Sequence, residues 1–212
     1  MNVGLPRKIR WKGQDVTTGI FKEPVDRPVM LRRLNLDGDL QADLTVHGGF
    51  AKAVYAYPSE HYEFWRRELL GVDLPWGAFG ENLTTEGIDE ETSCIGDQFR
   101  VGEAVVMVTQ PRTSCFKLAA KFGRNDIVER FLEGGRSGFY LSVVEEGLVK
   151  PGDALERIHQ DENHMSVADI NSLHTNGVDD ILLVRRAVRV KTLPNGWRNR
   201  FLKKLESSSQ NR

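Results

Sequence analysis

The chain has 212 residues, with 29 Lys and Arg against 30 Asp and Glu, 40% hydrophobic and 28% charged residues. That length and balance suit one domain, or one domain with a small appendage, with enough apolar material for a core. They exclude a global field directed at nucleic acid or a membrane surface, so any anion site has to be local.

Residues 1–12 carry basic side chains but no apolar stretch of the signal-peptide kind, and no run approaches the ~18 apolar residues of a membrane span. Cys94 and Cys115 are the only cysteines. Two thiols make neither a disulfide framework nor a CxxC zinc site, so a reducing, cytoplasmic setting is expected.

In chain order, residues 1–30 read as short extended pieces punctuated by Pro24 and Pro28, with a turn at Gly13-Gln14-Asp15. A tight turn at Asp37-Gly38-Asp39 precedes His47-Gly48-Gly49, and a strand is expected over 52–57. Residues 59–70 predict a helix: Ser59 suits the N-cap, Glu60 and Glu63 its positive end, and Tyr62, Trp65 and Leu69 share one face. The loop 75–85 is glycine-punctuated, and strands follow over 95–102 and 103–109. Helices are expected over 116–122, closed by Gly123, and after Asn125, closed by Gly134-Gly135. Strands at 138–144 and 154–158 complete a run of short strands that favours a closed or sandwiched β architecture. The polar stretch 159–164 reads as a linker. Beyond it Ser166 and Asp169 form a capping-box-like start, and further helices over 178–190 and 197–205 make a three-helix appendage. The expected division is therefore 1–160 and 161–212, with 207–212 a frayed end.

The segment that concentrates chemistry is Gln110-Pro111-Arg112-Thr113-Ser114-Cys115. A strand leads into it and a helix leads out. Proline ends the ladder, and Cys115 falls at the start of the helix, where free N–H groups favour a thiolate. Arg112 adds a permanent cation and Ser114 a hydroxyl. The competing reading is a small buried cysteine. Cys94 has no such company and reads as structural. His47-Gly48-Gly49 lets backbone approach an anion or is a plain turn. Lys52 supplies a cation or sits on a solvated edge. Asn82, in Gly80-Glu81-Asn82, bonds a ring edge or phosphate, or serves the turn. Arg136 offers a guanidinium fork or lies on the surface. The histidines lack ligand spacing for zinc.

Taken together, His47-Gly48-Gly49 with Lys52-Ala53-Val54-Tyr55, Gly80-Glu81-Asn82-Leu83-Thr84, Ile95-Gly96-Asp97, Gln110 through Cys115 and Arg136-Ser137-Gly138-Phe139-Tyr140 resemble the MOSC family, named for the C-terminal domain of molybdenum-cofactor sulfurase. The resemblance runs from about residue 30 to Ile158, and the tail makes it similar to the bacterial YiiM-like branch. It implies a mainly β, barrel-like fold that binds molybdopterin, with Cys115 as catalytic residue and molybdenum ligand. His47, Gly48, Gly49, Lys52, Asn82, Arg112, Ser114 and Arg136 would form the cofactor-binding set. It also implies a detoxifying reductase of small N-hydroxylated compounds such as hydroxylaminopurines. Ser114 stands where the family commonly has proline.

With no flavin or iron–sulfur signature, electrons would come from a separate reductase. Two other readings use the same residues: a carrier holding the cofactor or a persulfide on Cys115, and a non-enzymatic anion- or nucleotide-binding module. One face of helix 178–190 can pack on the chain's own barrel, dock the donor, or pair two copies as a homodimer. Deleting 161–212 is expected to leave the cofactor site intact.

Overall fold

The computed structural model of the chain describes residues 1–42, 48–175 and 180–210, the last three by backbone. His47 of the glycine loop and Val178 at the start of an expected helix lie outside the described residues. The amino-terminal part supplies β1 (Asn2–Val3), β2 (Arg7–Trp11), β3 (Gln14–Thr18), β4 (Glu23–Pro24) and β5 (Val29–Leu31). β2 and β3 close a hairpin through Lys12-Gly13, both with positive φ. Further strands are β6 (Val54–Pro58), β7 (Leu83–Thr85), β8 (Gln98–Val101), β9 (Ala104–Pro111), β10 (Phe139–Glu145), β11 (Gly147–Val149) and β12 (Leu155–His159). Six of them form one sheet in the order β12-β8-β9-β10-β6-β7, antiparallel except for β6 with β7. The sheet curls into a half-barrel, the mainly β core that the sequence predicts.

Helices α1 (Glu60–Glu68), α2 (Phe116–Phe122) and α3 (Ile127–Glu133) cover one side; α4 (Val167–Thr175), α5 (Ile181–Arg189) and α6 (Asn195–Gln210) follow the last strand. β6 shows why two layers are needed. Successive strand side chains point to opposite faces, and every β6 residue is buried. Val54 and Ala56 enter one apolar cluster, while Tyr55 and Tyr57 enter the other. The second cluster is aromatic: Tyr57, Trp65, Phe79 and Phe131 lie in mutual ring contact, and Trp65 Nε1 donates to the Tyr57 hydroxyl at 2.6 Å.

The strand expected from residue 52 begins at Val54, because residues 50–52 form a single 3₁₀ turn. The Ala51 carbonyl there accepts from Thr109 Oγ1 at 2.7 Å instead of a strand partner. The capping box is present: Asp169 N donates to Ser166 Oγ at 2.9 Å and Ser166 N to Asp169 Oδ2 at 3.1 Å. The 159–164 stretch is tied down, since Asp161 N donates to Asp97 Oδ1 at 2.9 Å and Asp161 packs over the Gly96 backbone. The final helix runs to Gln210, past the point where fraying is expected.

The three terminal helices share a core with the sheet. Met165, Ile170, Val184, Ala187 and Phe201 belong to the same buried cluster as Val54, Val106 and Phe139. Truncating that shared core should therefore weaken both parts at once. Ile170→Ala is expected to cost about 2–5 kcal/mol in urea unfolding, with helix and strand signals lost in one transition. A separate early loss of helix would contradict the shared core.

Candidate functional site

β9 runs through Pro111, which pairs with Phe139, and delivers Arg112 at its end. The Arg112 backbone N–H donates to Gly138 O at 3.2 Å, so the ends of β9 and β10 are pinned together. Gly138 has to be glycine: its φ is +62°, and a Cβ there would meet Ala56 O at 2.4 Å. Cys115 is the N-cap residue of α2, one position before the expected first turn, with extended backbone and no side-chain cap. It is half-buried.

Arg112 is only 7% exposed. Its guanidinium lies over the Tyr55 ring, 4.8 Å from the centroid, and 5.4 Å from that of Phe131. Nη1 reaches Ser114 Oγ at 3.4 Å. Among the described residues no carboxylate forms an ion pair with it, which is unusual because a buried charge is costly unless paired. Burial disfavours its charge, but Tyr55, Tyr140 and Cys115 together hold its pKa above the ordinary arginine value.

These groups open on a cleft whose free space, open solvent included, is about 650 Å³. Lys22, Lys52, Arg112 and Lys117 line it against Asp39 alone among the described residues, with Cys115, Thr113, Tyr55 and Tyr140 completing its polar wall. Asp39 is already engaged: it forms an ion pair with Lys22 and accepts from Gly4 N at 2.8 Å. Burial lowers the pKa of Lys52.

Two expected binding residues take other roles. Asn82 lines the cleft, but its Oδ1 accepts from Tyr55 N at 3.1 Å and its Nδ2 donates to Asp39 Oδ2 at 2.9 Å and Asn2 O at 3.3 Å. It braces β6 against the amino-terminal strand. Arg136 stacks on Phe64, 4.0 Å from the ring centroid, and lines a separate cleft with His61, Glu90 and His174. Gly49, with φ +92°, is exposed and starts the 3₁₀ turn that carries Lys52; Gly48 is half-buried beside it. Thus Lys52, Asn82, Arg112 and Cys115 converge on one cleft. Ser114 touches it through Arg112, and Arg136 does not reach it.

Sequence reasoning missed Lys22, Asp39, Lys117 and Tyr140 as lining groups, and Glu81 and Lys121 as supports. Tyr140 lies inside a quoted motif, whereas Lys22 carries no local signal. Buried Glu81 accepts from Gly77 N at 2.7 Å, Phe79 N at 3.1 Å, Thr84 Oγ1 at 3.1 Å and the Tyr62 hydroxyl. It clasps the loop before β7, and burial raises its pKa. Lys121 donates to Gly77 O at 2.7 Å and Ile20 O at 3.1 Å, behind the cleft.

The terminal helices reach the same strand end. Trp197 Nε1 donates to Gln110 Oε1 at 2.7 Å, and Gln110 Nε2 donates to Ala51 O at 3.3 Å, next to Lys52. The packing does not favour the expectation that residues 161–212 can be deleted without effect on the site: Gln110 would lose its buried partner.

The fold agrees with the comparisons. Residues 43–156 match the MOSC domain family, and the chain belongs to that family. YflK of Bacillus subtilis, an uncharacterized protein, is 45% identical over 204 residues, covering 96% of this chain and 92% of that one. YiiM of Escherichia coli is 40% identical over 153 residues, covering 71% of this chain and 68% of that one. A Gibberella moniliformis protein named a reductase is 33% identical over 165 residues, which are 74% of this chain but 28% of that protein. The crystal structure of YiiM from Geobacillus stearothermophilus superposes with a TM-score of 0.80 at 35% identity, covering 96% of each chain. No helix among the described residues is long and apolar enough to cross a membrane.

Burial lowers the pKa of Lys121 to about 8, against an ordinary 10.5. Between those values the unfolded chain binds more protons than the folded one, so this lysine makes stability rise with pH across that window. Relative to Lys121→Met, the wild-type urea midpoint should gain from roughly pH 7.5 to 9.5. A difference that stays flat with pH would place the titration elsewhere.

Proposed function

We propose that the chain binds molybdopterin in the Arg112–Cys115 cleft and reduces small N-hydroxylated compounds, including hydroxylaminopurine-type bases, with electrons from a separate donor protein. The observation that carries this reading is the buried Arg112 guanidinium, with no carboxylate partner among the described residues, facing the same cleft as a half-buried thiol. The donor set suits the group. Thiolate sulfur is a soft ligand for a thiophilic metal, and Arg112, Lys52 and Lys117 offer cationic donors to a phosphate. When bound, the cofactor supplies two-electron redox chemistry at its metal.

The protein's own residues bind and orient. Cys115 holds the metal from the start of α2. Arg112, braced between two aromatic faces, fixes the anionic end with little freedom to lose. Lys52 approaches from the 3₁₀ turn and Lys117 from α2. Asn82 and Asp39 set the wall without contributing donors to the ligand.

The test is metal and pterin content of protein purified from a molybdate-supplied host. Cys115→Ala should lose molybdenum, and equal content in both proteins, or none in either, would refute ligation. A sulfur adduct on Cys115 without reductase activity would favour a carrier role instead.

Arg112→Met separates binding from folding. The groups around the guanidinium outweigh the cost of its burial, and its contacts with the Tyr55 and Phe131 rings contribute about 1–2 kcal/mol each. The cofactor-free variant is therefore expected to lose some urea stability but keep one cooperative transition, while cofactor retention falls at least about tenfold. A variant that binds the cofactor normally would remove Arg112 from the site.

A further inference from the structure

We infer that Tyr140 is the acid that protonates the departing oxygen when the N–O bond is cleaved, an assignment that rests on the proposed reductase reading. The reduction R–NH–OH + 2 e⁻ + 2 H⁺ → R–NH₂ + H₂O breaks one N–O bond and needs one proton at the leaving oxygen and one at nitrogen. The electrons come from the donor protein by way of the cofactor. The cleft must therefore hold a protonated group at the reacting end, since hydroxide leaves poorly without a proton.

Tyr140 meets that requirement through its position on β10. It stands directly opposite Tyr55 on β6, their ring centroids 5.5 Å apart, and both rings line the cleft. The two phenols differ in what they have left to give. The Tyr55 hydroxyl donates to Ser137 O at 2.8 Å, and the residue is buried. The Tyr140 hydroxyl sits beside the Arg112 guanidinium, and among the described residues it donates no hydrogen bond. Arg112 donates to that oxygen, and the O–H remains available to a ligand in the cleft.

The electrostatics keep the phenol loaded with its proton. Burial raises the Tyr140 pKa and Arg112 opposes that rise, so the phenol is protonated at neutral pH. When the proton leaves, the guanidinium stabilises the phenolate that forms. The alternatives are worse placed. Lys22 is committed to Asp39, and Lys52 and Lys117 are the cations that the phosphate needs. After transfer Tyr140 recovers its proton from solvent, which also supplies the proton to nitrogen.

Tyr140→Phe keeps the ring, its contact with Tyr55 and the strand register, and removes only the hydroxyl. The measurement uses molybdenum-loaded protein with a reduced viologen in place of the donor protein, and compares an N-hydroxylated base with its O-acetyl ester. Acetate leaves without prior protonation, so the ester bypasses the acid. The variant should keep wild-type molybdenum content and show about a 100-fold lower kcat on the hydroxylamine with little change in KM. The loss should be largely relieved on the ester. Wild-type kcat on the hydroxylamine, or an equal loss on both substrates, would overturn the assignment. Loss of molybdenum from the variant would make Tyr140 a cofactor-holding residue instead. If loaded wild-type protein reduces neither substrate, the reductase reading itself fails and the assignment with it.

Discussion

A guanidinium buried without a carboxylate partner among the described residues is the constraint around which this molecule is arranged. Arg112 can stay charged in the interior because two aromatic faces and two hydroxyls surround it. That shell has to be rigid, and the aromatic cluster explains how it is made so. Phe131 stacks on Trp65 and on Tyr57, and Tyr57 accepts from the Trp65 indole. Helices α1 and α3 thereby buttress the residue that faces the cleft. The alternation along β6 does the rest, since the strand that feeds Tyr55 to Arg112 also feeds Val54 and Ala56 to the opposite core.

Loops that would otherwise be loose are fastened by buried acids and amides. Glu81 gathers two backbone N–H groups and two hydroxyls, and Asn82 joins β6, the amino terminus and Asp39. Each such group is costly to bury unless satisfied, so together they specify one loop conformation rather than adding much net stability. Lys121 shows the same logic with the opposite charge. The Trp197–Gln110 bond extends it to the terminal helices, which brace the cleft from behind through the strand end that carries Arg112.

The cleft thereby divides its labour. Lys22, Lys52, Arg112 and Lys117 line it together with the Tyr140 phenol, and the Cys115 thiol stands at the start of α2. An arrangement of like charges is one that a stability optimum would avoid, and under the proposed function a phosphorylated ligand would offset the cost of Arg112.

From the sequence alone, the strand-to-helix passage at Arg112–Cys115, the helix over α1, the capping box at Ser166 and the family were all legible, because each is written in neighbouring residues. Propensity, caps and motif order act over a few positions, and a quoted motif holds its own spacing. The grouping of the cleft was not legible. Lys22, Asp39, Lys117 and Tyr140 come from four separate segments and meet only through strand pairing and loop packing. Asn82 read as a binding residue because its motif could be seen while its three partners, Asn2, Asp39 and Tyr55, could not. Arg136 read as a phosphate fork for the same reason, yet the turn before β10 lays it on Phe64 in another cleft. Local chemistry determined which elements form and which family the chain joins. Long-range backbone pairing and burial decided which of them face one another.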